Sequence, residues 1–267
     1  QAVLLIAYPT TGEQDAATNT LVNHMTGTVL PRATKGTGIT VYLTGPNAGN
    51  VTFANTISKR LPVLVAVVVI LSMLLLLVTF RSVVVPVKAA LMNLLSISAA
   101  YGVLTLVTQD GFARQLFGFP EKMPVTTWVP VFLFVILFGL SMDYEVFLLS
   151  RIRESFDSTG DNSTSVSGGV ASTARVISAA AAIMIVVFLS SVLGGNVSVK
   201  QVGLGLAVAI LIDATLVRLV LVPAVMELLG KANWWLPGWL GKILPQASLH
   251  GDEPPAVTAR QPVSAVE

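Results

Sequence analysis

Cysteine is absent from the 267 residues, which excludes disulfides, thiolate metal sites and cysteine nucleophiles. Charge is scarce: Asp, Glu, Lys and Arg make up 11% of the chain, where a soluble domain carries about 25%. Hydrophobic residues reach 54% and the mean hydropathy is +0.78. A surface of that composition could not be hydrated, so most of the chain must face lipid or other apolar helices. The net charge of +2 and the lack of a basic run exclude a nucleic-acid partner. No GxxxxGK[ST] loop is present, so ATP does not drive the chain directly, and no G-x-S-x-G elbow appears. The two histidines, His24 and His250, lie far from any apolar span, and neither a metal site nor a cofactor is expected. The chain begins at Gln1 with no basic n-region or signal-peptidase site, which reads as a piece of a longer protein.

Residues 1–57 read as the end of a small α/β domain. Val3 to Tyr8 is a strand-like apolar run ended by Pro9. Thr11 and Gln14 fit a capping box, and Ala17, Leu21 and Met25 fall on one face of a helix over 13–30 that Pro31 stops. Ile39 to Leu43 reads as a second strand, closed by the turn Gly45-Pro46-Asn47. So small a unit cannot bury a core by itself, so further strands are expected upstream.

Residues 58–230 read as a bundle of five transmembrane helices. No charge occurs from Leu61 to Phe80, enough helix to cross a hydrocarbon core of about 30 Å. Further spans are expected near 89–108, 128–149, 176–197 and 202–225. Arg81, Lys88, Arg151, Arg153, Arg175, Lys231 and Lys242 collect on one side, against Lys59, Arg60, Arg114, Lys122 and Lys200 on the other. The positive-inside rule then puts the loop after the third span and the C-terminus in the cytoplasm, and residues 1–57 outside. Residues 231–245 place Trp234, Trp235 and Trp239 at a membrane surface. The proline-containing tail, 246–267, reads as disordered and cytoplasmic.

Most polar residues inside the spans read as interhelical glue, among them Asn93, Ser96, Ser98 and Thr105. Two acids are harder to dismiss. Asp143 follows twenty uncharged residues, Met123 to Met142, and Asp213 lies near the middle of the fifth span. An Asp at a helix centre costs about 2.5–3.5 kcal/mol to insert, so each needs a polar partner or a water-filled path. Gly139 precedes Asp143 by four residues, and Gly205 and Ala209 precede Asp213 by eight and four. Such small-residue stripes admit a close neighbour, and both acids are expected to point into a bundle. Arg218 lies about 140° around an α-helix from Asp213, a poor intrahelical geometry, so Arg151 is the expected partner of a supporting ion pair. Asp143 has no evident partner in the chain and is assigned the functional role. Glu145, roughly opposite Asp143, reads only as an acid snorkelling toward the inner interface.

The segment GLSMDYEVFLLSRIRE (Gly139 to Glu154) closely resembles the Gly-x-x-x-Asp-Tyr helix of the MmpL family (mycobacterial membrane protein large), within the resistance-nodulation-division superfamily of exporters. The likeness continues through FRSVVVPVKAALMNLLSISAAYG (Phe80 to Gly102), RVISAAAAIMIVVF (Arg175 to Phe188) and GLGLAVAILIDATLVRLVLVPA (Gly203 to Ala224), covering nearly all of 1–245. The resemblance implies the second of two repeats: residues 1–57 close an extracytoplasmic porter domain, and the five spans are the last five helices of the transporter, with roughly two-thirds of it upstream. It implies a multi-pass protein of a bacterial inner (plasma) membrane that exports lipids or hydrophobic drugs on the proton-motive force. Its partners would be membrane lipids, a lipid or hydrophobic substrate and the N-terminal half, and a homo-oligomer is open. Residue by residue, Asp143 and Tyr144 correspond to the second-half pair of the family's proton relay and Gly139 to its close-packing position. Asp213 and Arg151 match family positions with a supporting role.

Two readings compete. In an intramembrane aspartyl protease, Asp143 and Asp213 would share a proton, yet the order is Asp-Tyr, and Leu211-Ile212 precede Asp213 where such proteases have glycine. In a non-catalytic membrane scaffold, Asp143→Asn would leave export intact.

Overall fold

The structure, a computed structural model, describes residues 3–11 and 16–244. Gln14 of the expected capping box and the tail 246–267 lie outside the described residues. Seven helical elements follow along the chain among the described residues. Helix α1 covers 16–34, with a widened π turn over Met25–Val29. The five long helices are α2 (Pro46–Phe80), α3 (Val84–Asp110), α4 (Val129–Thr159), α5 (Asn162–Leu193) and α6 (Val197–Trp234), each long and apolar enough to cross a membrane. A short α7 (Gly238–Ile243) follows. The five spans expected from hydropathy are therefore present, all of them longer than the apolar windows that announced them.

The small α/β fragment is not shown. No strand occurs among the described residues, and 3–8 and 39–43 form no regular element and are exposed. A strand is held by a neighbour's ladder, and neither segment has one here. Pro31 does not end α1: the chain is helical to Thr34, with Pro31 in the first turn of Leu30–Thr34 just after the π turn. Inside a continuous helix a proline forfeits one amide hydrogen bond, and the π turn directly before it is where the regular α ladder is interrupted. Residues 46–57, expected as turn and domain end, are the first turns of α2, which crosses the 57–58 boundary unbroken.

Local sequence sets the corners. Arg81 caps α2 in the left-handed conformation, φ 47°, and its guanidinium donates to the Gly241 carbonyl at 2.9 Å. Gly160 (φ 68°) ends α4, where its amide donates to the Phe156 carbonyl at 2.8 Å. Asp161 then caps α5, accepting from the Thr164 amide at 2.9 Å, and Asn196 caps α6 in the same way through the Val199 amide. The α4–α5 hairpin is thus written in two adjacent residues.

Helix α6 is the axis of the bundle and packs on α3, α4 and α5. Leu133, Phe134 and Leu137 of α4 meet Leu204, Leu206 and Ile210 of α6 in one apolar core. Close approach depends on two glycines. A Cβ on Gly205 would lie 2.7 Å from the Leu133 side chain, and one on Gly203 would lie 2.5 Å from the Phe188 carbonyl of α5. Helix α2 is peripheral, buried only at Ala48, Val51, Leu76 and Phe80.

The end carrying Arg81 and Arg153 is closed by a polar strap. Ser82 donates to the Asn233 carbonyl (2.5 Å), while the Asn233 and Asn162 amides both donate to the Met226 carbonyl. Trp234 turns inward, stacked on Phe156 at 5.2 Å with the Arg153 guanidinium 4.8 Å above its ring. Trp235 and Trp239 are exposed, so two of the three expected surface indoles face outward. At the opposite end, the fully buried Gln201 accepts from the Thr126 amide (2.8 Å) and donates to the Pro124 carbonyl (3.2 Å), tying the α3–α4 connection to α6.

Candidate functional site

Four helices converge on a group of polar side chains inside this apolar bundle. Asp213 of α6 receives the Arg218 guanidinium at 2.6 Å. It also accepts from Ser141 of α4 at 3.0 Å and from Ser96 of α3 at 3.3 Å. Arg218 donates further to the Ser141 carbonyl at 3.0 Å and lies 5.3 Å from the Tyr144 ring, close enough for a cation–π contribution. Ser141 is also 2.6 Å from Asn93 Oδ1. A cavity of about 20 Å³ opens among Asn93, Ser96, Ser141, Tyr144, Asp213 and Arg218, walled on its apolar side by Ile177, Ala181 and Met184 of α5. That is space for about one water.

The Asp213–Arg218 pair corrects the expectation that Arg151 would serve Asp213. The angular objection holds for an α-helix, but residues Asp213–Leu221 form a π-helix. Its i→i+5 hydrogen bonds widen the turn and bring the fifth residue back over the first. Pro223, which lacks an amide hydrogen, sits just beyond this stretch, where the helix returns to α geometry. Arg151 is instead exposed and pairs with Glu154 on its own helix at 2.9 Å.

The two acids of the sequence reading part company. Asp213 points into the bundle. Asp143 is exposed, with no hydrogen bond or ion pair among the described residues. It lies on a stripe of α4, Phe132, Val135, Gly139, Asp143 and Phe147, all exposed and repeating at helical spacing. A Cβ on Gly139 would meet nothing within 4 Å, so this glycine packs no helix of the described chain. Tyr144, between the two faces, is half-buried against Met184. Asp143 and Asp213 are not brought together as the protease reading requires; the Asp213 oxygens are taken by Ser96, Ser141 and Arg218.

Glu145 is the residue that sequence reasoning misplaced. It does not snorkel: it is buried to 3% exposure. Its signal was positional, since Phe134, Phe138, Ser141, Glu145, Leu148 and Ile152 step along α4 by fours and threes and are all buried. Lys88 of α3, buried to 4%, is the leading opposite charge acting on it, followed by Arg218. Of the expected glue residues, Asn93 and Ser96 bridge helices at the site, whereas Thr105 bonds the Gly102 carbonyl of its own helix.

Comparison with known proteins supplies the context. The profile described as "MMPL family" matches residues 2–245. The chain is 46% identical over 211 residues to the mycolic acid-containing lipids exporter MmpL11 of Mycolicibacterium smegmatis, covering 79% of this chain and 22% of the relative. It is 46% identical over 218 residues to the heme uptake protein MmpL11 of Mycobacterium tuberculosis, covering 82% and 22%. It is 37% identical over 216 residues to the trehalose monomycolate exporter MmpL3 of the same species, covering 81% and 23%. The chain thus spans somewhat over a fifth of the length of these relatives.

Proposed function

The chain belongs to the MMPL family, and from that premise we propose that it is the C-terminal membrane part of a proton-driven exporter of lipids or other hydrophobic molecules. Asp143 and Tyr144 form its half of the proton relay. The observation that carries this reading is the exposed stripe of α4. An aspartate in the third of five membrane-length helices, without a partner among the described residues, sits four residues from an exposed glycine on a face otherwise apolar. A bare carboxylate facing hydrocarbon costs several kcal/mol. The stripe is therefore the face of a helix–helix contact with the N-terminal half, with Gly139 letting the two backbones approach.

In that contact Asp143 binds and releases H⁺ while shielded from bulk water, and Tyr144 passes or orients the proton through its hydroxyl. A proton moving down the membrane potential yields about 2.3 kcal/mol per 100 mV. The gain biases a rocking of the two halves, which the extracytoplasmic domain uses as a population shift. Asp213 and Arg218 hold α6 against α3 and α4, so the α4 face is presented on a rigid frame. The protein resides in a bacterial inner membrane with the end carrying Arg153 and Trp234 in the cytoplasm. The exporter reading rests on the names of two relatives, and a third is named for heme uptake; direction and cargo are therefore read in the same assay.

The test is Asp143→Asn in the intact transporter, reconstituted in vesicles. Proton-coupled flux of a lipid cargo should vanish while expression and membrane insertion stay normal. Unchanged flux would refute the relay.

A further inference from the structure

Behind the relay face lies a second acid. Glu145 and Lys88 are each more than nine-tenths buried, yet neither closes an ion pair within 4.0 Å among the described residues. Three buried polar atoms here have no protein partner: Glu145 Oε1, Lys88 Nζ and Asn93 Nδ2. Beside them is a second cavity of about 10 Å³, lined by Asn93, Glu145, Asp213 and Arg218 among apolar neighbours. That is close to the smallest space that holds one water, and a buried water is kept where two to four polar groups can bind it.

The four interior charges are unequal. Asp213 and Arg218 are locked together at 2.6 Å, and both Asp213 oxygens accept further bonds. Glu145 has no such closure. The charged groups facing it are Lys88 from α3 and Arg218 and Asp213 from α6. An acid meant only to anchor helices would be expected in a closed pair, because an ion buried without its hydrogen bonds costs several kcal/mol. An acid with an unpartnered oxygen beside a water-sized cavity can instead change its protonation state.

We propose that Glu145 is a second proton-exchanging carboxyl of this half, loaded and unloaded through a water held in the cavity it shares with Asn93, Asp213 and Arg218. In the loading step a hydrated proton passes through this water to a Glu145 oxygen, forming the O–H bond and leaving the water neutral; unloading is the reverse. Lys88, on the side of the bundle nearest the basic end, compensates the carboxylate charge when the proton has left. This deepens the relay reading by adding a residue to it, but it rests on an interior cavity and on the buried face of α4.

The experiment uses the intact transporter in vesicles. Proton flux and infrared difference spectra after a pH jump are recorded for the native protein, Asp143→Asn and Glu145→Gln. The native protein should show a protonated-carboxyl band that persists in Asp143→Asn and disappears in Glu145→Gln, and Glu145→Gln should lower proton flux at least tenfold. A band unchanged in Glu145→Gln overturns the proposal even if Asp143→Asn abolishes flux; loss of the band in Glu145→Gln with normal flux in Asp143→Asn upholds it while the relay reading falls. Should Glu145→Gln fail to insert, Lys88→Gln leaves the carboxyl in place and must shift the band, and an unmoved band overturns the proposal. A purely structural Glu145 would give no such band.

Discussion

Arg218 carries the greatest structural burden among the buried residues. It neutralises Asp213, donates to the Ser141 carbonyl and lies beside the Tyr144 ring, with 4% of its surface exposed. Removing it strands a carboxylate in an apolar bundle, so Arg218→Met should destabilise the protein by about 3–5 kcal/mol. The double variant Arg218→Met/Asp213→Leu should recover most of that loss, because the cost lies in the unpaired charge and not in the missing contact. Denaturation in mild detergent would measure both. Equal stability of single and double variants would show that the pair is not what holds the three helices here. Residue identity alone made Asp213 conspicuous, since a charge in an apolar run is rare. It could not identify the partner, because the pairing depends on a local change of helix type.

At the scale of the element, the helices of this chain are apolar on nearly every side, and that limits what periodicity can say. In a soluble protein the polar face of a helix marks its exposed side. In a bilayer the lipid-facing and core-facing stripes are both apolar, so Phe132 and Phe134 look alike in the sequence although one is exposed and the other buried. Helix existence and number were legible from length and hydropathy. The faces were not, which is why Asp143 was expected inside the bundle and Glu145 outside it. Glycines sharpen the distinction. Gly203→Ala would press a methyl group against the Phe188 backbone carbonyl of α5, and backbone cannot step aside. A loss of about 1–3 kcal/mol is expected in detergent unfolding. Gly139→Ala meets no atom of the described residues within 4 Å and should leave the stability of the isolated segment unchanged. In the intact transporter it should impair flux if α4 meets the other half at that point. Normal flux in that variant would remove Gly139 from the interface.

The whole molecule has an orientation that can be tested because the chain contains no cysteine. Single cysteines can be introduced at Gln115, in the connection between α3 and α4, and at Ser158, near the end of α4. With the basic end inside, an impermeant thiol reagent applied to intact cells should label the first and not the second, and permeabilised cells should expose both. The reverse pattern would invert the topology. At this scale the sequence placed Trp234, Trp235 and Trp239 at a membrane surface, but only the fold showed Trp234 turned under Arg153 and against Phe156 while Trp235 and Trp239 remain outside.

Composition and the order of apolar runs determined by themselves that this is a membrane chain with five spans, because lipid tolerates few charges and fixes the length of helix needed to cross it. The Asp-Tyr segment on the third span was equally plain from the residues. Tertiary structure alone decided which acid is buried, which cation closes on Asp213, and which face of α4 is left bare. Those outcomes depend on rotation of one helix against another and on a π-helical stretch that changes angular register, and neither quantity is encoded in hydropathy.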